Sequence, residues 1–345
     1  MIRRYLDGYD KFRCIADKCH KTCCSGWQIV IDEKSLLKYR KADKEKGNRY
    51  FEDKVDESEE CFRQKSNGDC VFLLENGLCE MIISCGEEML CDTCRLYPRH
   101  IEEFPGTREY SLSASCPVVA NMLMEREQLL TFKENCDEEK DDISEYGDFD
   151  EELYETLLSC RKEAFSIIQR NDIDFDTKCL RILKISSDTQ DIMDGWEPDE
   201  SAEFLVDLTS RPLFGLLLRL EPLQPSFREK VKRAEEDLFS NGTPDCLPFE
   251  KAHPYWQIQC ENLLYYFLFT YMCGAVYDDY VFAMTAQAVY NSNMIKLLWV
   301  KEFNEKGRSL TKEEQAEIVC SYSRELEHSN ENMILLEKLL DEGMQ

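Results

Sequence analysis

Eleven of the eighteen cysteines fall between Cys14 and Pro117. They open as Cys14-x4-Cys19-x3-Cys23-Cys24-x-Gly26-Trp27 and continue through Cys70-Val-Phe-Leu and Gly77-x-Cys79. They close on Cys91-x2-Cys94-Arg95-Leu96-Tyr97-Pro98-Arg99 and then Cys116-Pro117. Cysteine at this density serves as a disulfide scaffold, a metal or iron–sulfur site, or a set of small buried hydrophobes. A thiolate is a soft, charged ligand, and four at tetrahedral positions satisfy zinc or one iron–sulfur cluster. The spacings are not those of a zinc ribbon, since only Cys91 and Cys94 form a C-x2-C pair. The ferredoxin run and the radical C-x3-C-x2-C spacing are also missing, the latter because Gly26 stands where its third cysteine belongs. Spacing therefore indicates a cysteine-ligated metal and leaves iron against zinc open.

The rest of the chain weighs against disulfides. At 345 residues it can bury a full core without them. The start, Met-Ile-Arg-Arg-Tyr-Leu, has no apolar stretch of the kind a secretion signal carries. The longest apolar run, Leu263 to Val276, is about fourteen residues, against the roughly 18 to 20 a membrane span needs. We expect a cytoplasmic protein without membrane insertion, and in a reducing compartment clustered thiols bind metal or do redox work. Net charge is −27, with residues 1–50 at +6 and the remainder at −33. That balance repels polyphosphate and argues against nucleic acid, while a basic protein or peptide fits. The same charge also keeps a protein soluble.

The elements that must position the cysteines read as follows. Residues 1–13 form a polar lead-in. Trp27 to Asp32 alternates apolar and polar, as a short strand would. Residues 33–58 suggest one exposed helix and a loop. From Cys61 to Pro117, Gly and Pro break the chain into short pieces that a metal would help hold. Residues 118–132 return to helix. The run Glu134–Glu155, twelve carboxylates in twenty-two residues, reads as an acidic linker. Its acids do not fall at EF-hand spacing. Beyond it the chain is helix after helix. Pro212 splits the apolar stretch from Phe204 to Leu220, and Ser226-x-x-Glu229 and Thr311-x-x-Glu314 have capping-box form. Residues 255–300 read as two packed helices hinged near Asp278-Asp279. The expected fold is mainly α: a loop-rich cysteine-cluster domain with few short strands (1–133), a linker (134–155) and a helical domain (156–345).

Cys14-x4-Cys19-x3-Cys23-Cys24-x-Gly26-Trp27-x-Ile29-x-Ile31-Asp32 resembles the opening signature of the flagellin lysine-N-methylase family, which overlaps a wider group of zinc- or iron-chelating cysteine-cluster proteins. Cys70-Val-Phe-Leu, Gly77-Leu-Cys79, Cys94-Arg-Leu-Tyr-Pro-Arg99 and Ser113-Ala-Ser-Cys116-Pro117 follow in the family's order, so the resemblance covers roughly residues 12–118. Glu261-Asn262 before an aromatic run also resembles the family. The resemblance implies eight shared cysteines as metal-site residues: Cys14, Cys19, Cys23, Cys24, Cys70, Cys79, Cys94 and Cys116. It also implies a [4Fe–4S] cluster, with zinc as the alternative, and methyl transfer from S-adenosylmethionine to flagellin lysines. Cys61, Cys85 and Cys91 are additional to that pattern, and eight thiols exceed the four one cluster takes.

Methyl transfer needs a neutral amine in line with a sulfonium methyl, supplied by burial or by a nearby carboxylate or tyrosine. The sequence marks no such catalytic residue, and no G-x-G of a nucleotide-binding βαβ unit is present. Arg95 and Arg99 are the candidates for holding a carboxylate of the donor or substrate, with surface ion pairs as the plain alternative. Trp27 is expected to cover the metal site. His20 is a minor ligand candidate, and His100, His253 and His328 read as surface or packing residues. The other seven cysteines read as small hydrophobes, and Tyr265 to Tyr271 as core. The alternative to an enzyme is a zinc- or iron-chelating protein for metal handling or redox sensing.

Overall fold

The computed structural model describes residues 1–138, 146–147, 149–199 and 206–344. The chain runs β1 (Ile2–Leu6), α1 (Glu33–Lys46), β2 (Val55–Asp56), β3 (Cys61–Phe62), α2 (Glu80–Cys85), α3 (Asp92–Leu96), β4 (Arg99–Phe104), β5 (Thr107–Leu112), α4 (Pro117–Met124) and β6 (Phe132–Cys136). It continues as α5 (Glu151–Ile168), α6 (Phe175–Met193), α7 (Arg211–Gly215), α8 (Pro225–Leu238), α9 (Leu247–Ala252), α10 (Trp256–Tyr271), α11 (Val281–Lys306), α12 (Lys312–Glu327) and α13 (Asn330–Met344). The fold is mainly α, as expected. Among the described residues no helix is long and apolar enough to cross a membrane.

Local chemistry sets most helix starts. Asp32, Asp150 and Asp174 accept from the backbone N–H of Ser35, Leu153 and Thr177 at the heads of α1, α5 and α6. Thr311 and Glu314 close the expected capping box on α12. Ser226 does not cap α8: that helix begins at Pro225, whose fixed φ suits the first turn, so Ser226 lies inside it. Pro212 likewise sits in the first turn of α7 rather than ending a helix. Phe204 and residues 139–145 and 148 of the acidic run lie outside the described residues; the run begins as β6 and ends as the first turns of α5.

Two expectations for the first half need correction. Residues 2–6 are not a lead-in but a strand inside a four-stranded sheet, order β4-β5-β1-β6, with β1 parallel to β5 and antiparallel to β6. Only Leu6 of β1 is buried, so the segment lacks the apolar pattern that marks a strand. The β4–β5 hairpin turns on Pro105-Gly106, where Gly106 has φ +69°. Trp27 to Asp32 alternates as expected, with Ile29 and Ile31 buried and Val30 exposed, but forms only an isolated bridge from Val30 to Cys61.

One hydrophobic cluster gathers the sheet, α4 and the helices from α5 onward, and α10 and α11 are buried on nearly every side. A second cluster is confined to residues 29–91, built on Tyr39, Phe51, Phe62 and Phe72. Sheet and helices are also tied by charge. Glu109 of β5 accepts two hydrogen bonds from Arg161 of α5, at 2.5 and 2.7 Å, and one from Arg4 of β1 at 3.0 Å, with Glu109 and Arg161 both nearly inaccessible. Burial opposes ionisation of Glu109, but the two guanidiniums overcome it and hold its pKa below the ordinary value. Removing one partner strands a buried charge. Arg161→Ala should therefore cost roughly 3–5 kcal/mol of unfolding free energy in urea titration. Arg40→Ala breaks only the exposed pair with Glu57 and should leave the midpoint in place.

Candidate functional site

The cysteine segment is a series of turns whose backbone donors point at sulfur. The Cys70 N–H donates to Cys24 O at 2.7 Å, and Trp27 Nε1 to Cys23 O at 2.7 Å, closing the loop around the adjacent thiols. Gly26 has φ +85°, and a Cβ there would stand 3.2 Å from Gln224 Nε2, so the Cys-x-Gly-Trp turn needs glycine for conformation and for approach. Cys79, Cys91 and Cys116 occupy the N-cap positions of α2, α3 and α4. Backbone N–H groups of Met81 and Ile82 face the Cys79 sulfur, those of Val118 and Val119 face Cys116, and that of Phe72 faces Cys70. Such donors favour thiolates. Burial outweighs them, pushing Cys79 and Cys116 up and Cys70 up to about 12.

The thiols influence one another in two neighbourhoods. Cys23 feels Cys14 and Cys116, and Cys116 feels Cys19 and Cys14. Cys70 feels Cys24, Cys79 and Cys91, while Cys94 feels Cys91, Cys24 and Cys70. The neighbouring thiols of Cys23 and Cys24 join the two groups, and each of the pairs Cys23/Cys24 and Cys91/Cys94 shares a hydrogen bond that eases ionisation of one member. The eight cysteines thus divide four and four, with Cys91 added to the second group. Each group has the donor type and number that zinc or an iron–sulfur cluster takes. Among the described residues, no three His, Cys, Asp or Glu side chains converge tightly enough to enclose a metal ion.

The helical half grips this segment through α12. Arg324, 6% exposed, donates to the carbonyls of Lys21, Thr22 and Ser115 at 2.8 to 3.1 Å. Lys21 and His20 pair with Glu317, and Cys320 Sγ donates to Ser115 O. Glu325 accepts from the N–H groups of Leu223 and Gln224, fixing the strip that meets Gly26.

Between these walls lies a cleft of ≈ 690 Å³. Gly26, Trp27 and Gln28 form one side, and Leu223, Glu327 and His328 the other. Trp27 stacks on His328, centroids 4.3 Å apart, and both rings meet Tyr97. Burial, with Arg324 nearby, lowers His328 to about 3, so its imidazole is neutral. Behind the wall, Glu327 Oε2 accepts from Ser113 Oγ, Tyr266 Oη and Tyr271 Oη at 2.5, 2.8 and 3.0 Å. Ser113 and Ser115 hydroxyls touch, and Ser115 meets Tyr97 Oη at 3.1 Å, so a hydroxyl chain links Glu327 to the Tyr97 ring beside Cys23 and Cys116.

Arg95 and Arg99 do not line this cleft. Arg95 is exposed and paired with Asp92 at 2.5 Å; Arg99 lies over the rings of Tyr9 and Phe12, bordering a separate hollow with Tyr5 and Lys133. Cys61 is buried and accepts from Gln28 Nε2 at 3.1 Å, and Cys85 is half-buried. Of the remaining cysteines, Cys160, Cys179, Cys260, Cys273 and Cys320 are buried as small hydrophobes would be, Cys246 is half-buried and Cys136 is exposed. Sequence reading placed His328 with packing residues and Tyr266 and Tyr271 with the core. It passed over Glu327 and Arg324, which no spacing marks. The one available signal was the pair of serines in Ser113-Ala-Ser-Cys116.

Residues 217–345 match the family model described as FliB lysine N-methylase C-terminal domain. The Lysine-N-methylase of Salmonella typhimurium (strain LT2) is 26% identical over 126 residues, 33% of this chain and 30% of that protein. The Flagellar biosynthetic protein FliU of Salmonella muenchen is 26% identical over 125 residues, 33% of this chain and 71% of that protein. The alignment thus spans less than a third of the length of that lysine-N-methylase. No solved structure matches the chain. The resemblance to the flagellin lysine-N-methylase family, read from residues 12–118, is supported by a match elsewhere in the chain, and that match contains α12, Tyr266, Tyr271, Glu327 and His328.

Two measurements follow from this geometry. Arg324→Ala removes charge-assisted hydrogen bonds worth roughly 1.5–3 kcal/mol each, so amide exchange at residues 21–27 should accelerate at least about tenfold while that of α10 does not change. His328 stays neutral in the fold, whereas the unfolded chain takes up a proton below its ordinary pKa of about 6.5. Folding is thus penalised increasingly as pH falls from about 6.5 towards 3, by up to ~1.4 kcal/mol per pH unit, and not above 6.5. Urea titrations at pH 7.5, 6 and 5 should show His328→Gln losing less stability with acid than the wild type.

Proposed function

We propose that this protein is a protein-lysine N-methyltransferase that transfers the methyl group of S-adenosylmethionine to flagellin lysines in the cytoplasm, and that it carries a cysteine-bound [4Fe–4S] cluster. The observation that carries the reading is the cleft: one wall is the cysteine segment that resembles the family, and the other is α12–α13 of the matched lysine N-methylase domain. The donor's sulfonium and the acceptor's ammonium are both cations, and the Trp27 ring that lines the cleft attracts cations.

Of the two thiol groups, we assign Cys14, Cys19, Cys23 and Cys116 to the site, because Trp27, which lines the cleft, donates to Cys23 O and its ring meets Tyr97. Arg324 brings a buried positive charge beside the carbonyls that flank it, which favours thiolate ligands. When bound, a cluster with an open iron supplies a Lewis-acid position for the donor's carboxylate or amine. Cys24, Cys70, Cys79 and Cys94, with Cys91, sit against the small aromatic core, where a metal ion serves to hold the segment folded.

Anaerobic purification followed by iron, sulfide and zinc quantitation, then incubation with S-adenosylmethionine and flagellin under mass spectrometry, tests this reading. About four irons and four sulfides per chain with methylated lysines is the expected result. Stoichiometric zinc without sulfide overturns the cluster, and unmodified flagellin overturns the activity in favour of a metal-handling protein.

A further inference from the structure

Glu327 is a buried carboxylate for which the fold provides no cation. Its Oε2 is saturated by three hydroxyl donors, and its Oε1 is buried with no hydrogen-bond partner. Ser323, one turn back on α12, has a buried hydroxyl without another partner and also acts on the Glu327 carboxylate. Two buried carboxylates are matched by cations, Glu109 by Arg161 and Arg4 and Glu261 by Lys178, while Glu325 and Asp43 have both oxygens held by backbone N–H groups. An ionised carboxylate in such a place is costly unless paired. The vacancy has the form of a site waiting for a cationic donor, and Glu327 is itself part of the cleft lining beside the Trp27–His328 stack.

We infer that Glu327 Oε1 receives a primary ammonium group entering through the cleft and takes a proton from it, acting as the base for the acceptor lysine. This rests on the methyltransferase reading for the identity of the amine, but not for the binding itself. The steps balance. R–NH3⁺ gives one proton to the carboxylate, leaving R–NH2 and a neutral Glu327. The nitrogen lone pair then forms a bond to the donor's methyl carbon as the carbon–sulfur bond breaks, and the departing thioether keeps that bond's electrons. The three hydroxyl donors on Oε2 fix the carboxylate so that only Oε1 is free. Tyr266 is itself polarised by the Ala114 N–H donating to its oxygen at 3.0 Å. Burial raises Glu327 above the ordinary carboxylate range and the surrounding hydroxyls oppose it. A base drawn upward towards neutrality is better matched to an amine. The groups that bear on its titration are Tyr266 and Tyr271 from α10, Ser113 before α4 and Ser323 from α12; His100 of β4 lies against the Tyr271 ring.

The test uses n-butylammonium chloride, which carries the lysine side chain's amine without its backbone, on the full chain with no methyl donor present. Binding followed by ligand-observed NMR should weaken at least about tenfold in Glu327→Gln, with n-butanol as the uncharged control. Glu57→Gln, at an exposed carboxylate paired with Arg40 and away from the cleft, should bind as the wild type does. Equal binding by Glu327→Gln, or wild-type binding no stronger than that of n-butanol, overturns the inference. Should Glu327→Gln fail to fold, Tyr271→Phe decides. Loss of one donor makes the carboxylate more basic, so the pH at which butylammonium binding sets in should move upward, a change that a purely structural tyrosine would not produce. An unmoved onset overturns the inference. Butylammonium binding at Glu327 without flagellin methylation would leave the site standing and remove the methyltransferase reading; methylation that is unchanged in Glu327→Gln would do the reverse.

Discussion

The guanidinium of Arg324 holds the two halves of this protein together where it matters. It is almost completely buried, yet its hydrogen bonds run to three main-chain carbonyls, those of Lys21, Thr22 and Ser115. Those carbonyls belong to two turns far apart in sequence, one before Cys23 and the other before Cys116. A single side chain on α12 therefore sets the spacing of the two turns that bring Cys23 and Cys116 together. The cysteine segment has only a small aromatic cluster of its own. Without the grip of α12, and without metal, that cluster and its isolated β-bridges would have to order the thiols alone.

The same helix supplies the chemistry at the cleft. Arg324, Glu325, Glu327 and His328 follow one another at its C-terminal end and point to different tasks: a clamp, a strut for the strip that meets Gly26, a buried carboxylate and an aromatic partner for Trp27. Burying so many polar groups is costly, and the structure offsets part of that cost by pairing many of them with one another. Asn262 holds the loop before β6 through Leu130 and Gln128, and Gln259 and Gln315 bond reciprocally. Among the described residues eleven buried side-chain atoms are without a partner, and two of these, Glu327 Oε1 and His328 Nε2, belong to residues that line the cleft.

The first half also shows why thiols close in sequence need not share a site. Cys23 and Cys24 are adjacent residues whose side chains serve different neighbourhoods, one towards Cys14, Cys19 and Cys116, the other towards Cys70, Cys79 and Cys94. Consecutive side chains leave a non-helical backbone in different directions, so a Cys-Cys dipeptide can join two groups.

What the sequence determined by itself was whatever depends on near neighbours along the chain. The thiol-rich segment, the helical character after residue 150, the break near Asp278-Asp279 and the Thr311–Glu314 cap are written in composition, period and short spacing. Tertiary structure decided the rest. β1 is a strand only because β5, a hundred residues later, lies parallel to it; its own residues, Ile-Arg-Arg-Tyr-Leu, carry no two-sided apolar pattern. The division of the cysteines into two groups depends on which turns α12 draws together. Glu327 is one of sixty-nine acidic residues until Ser113, Tyr266 and Tyr271 converge on it. A charge becomes chemically distinctive when water is removed and its partners are counted, and both are properties of packing rather than of spacing.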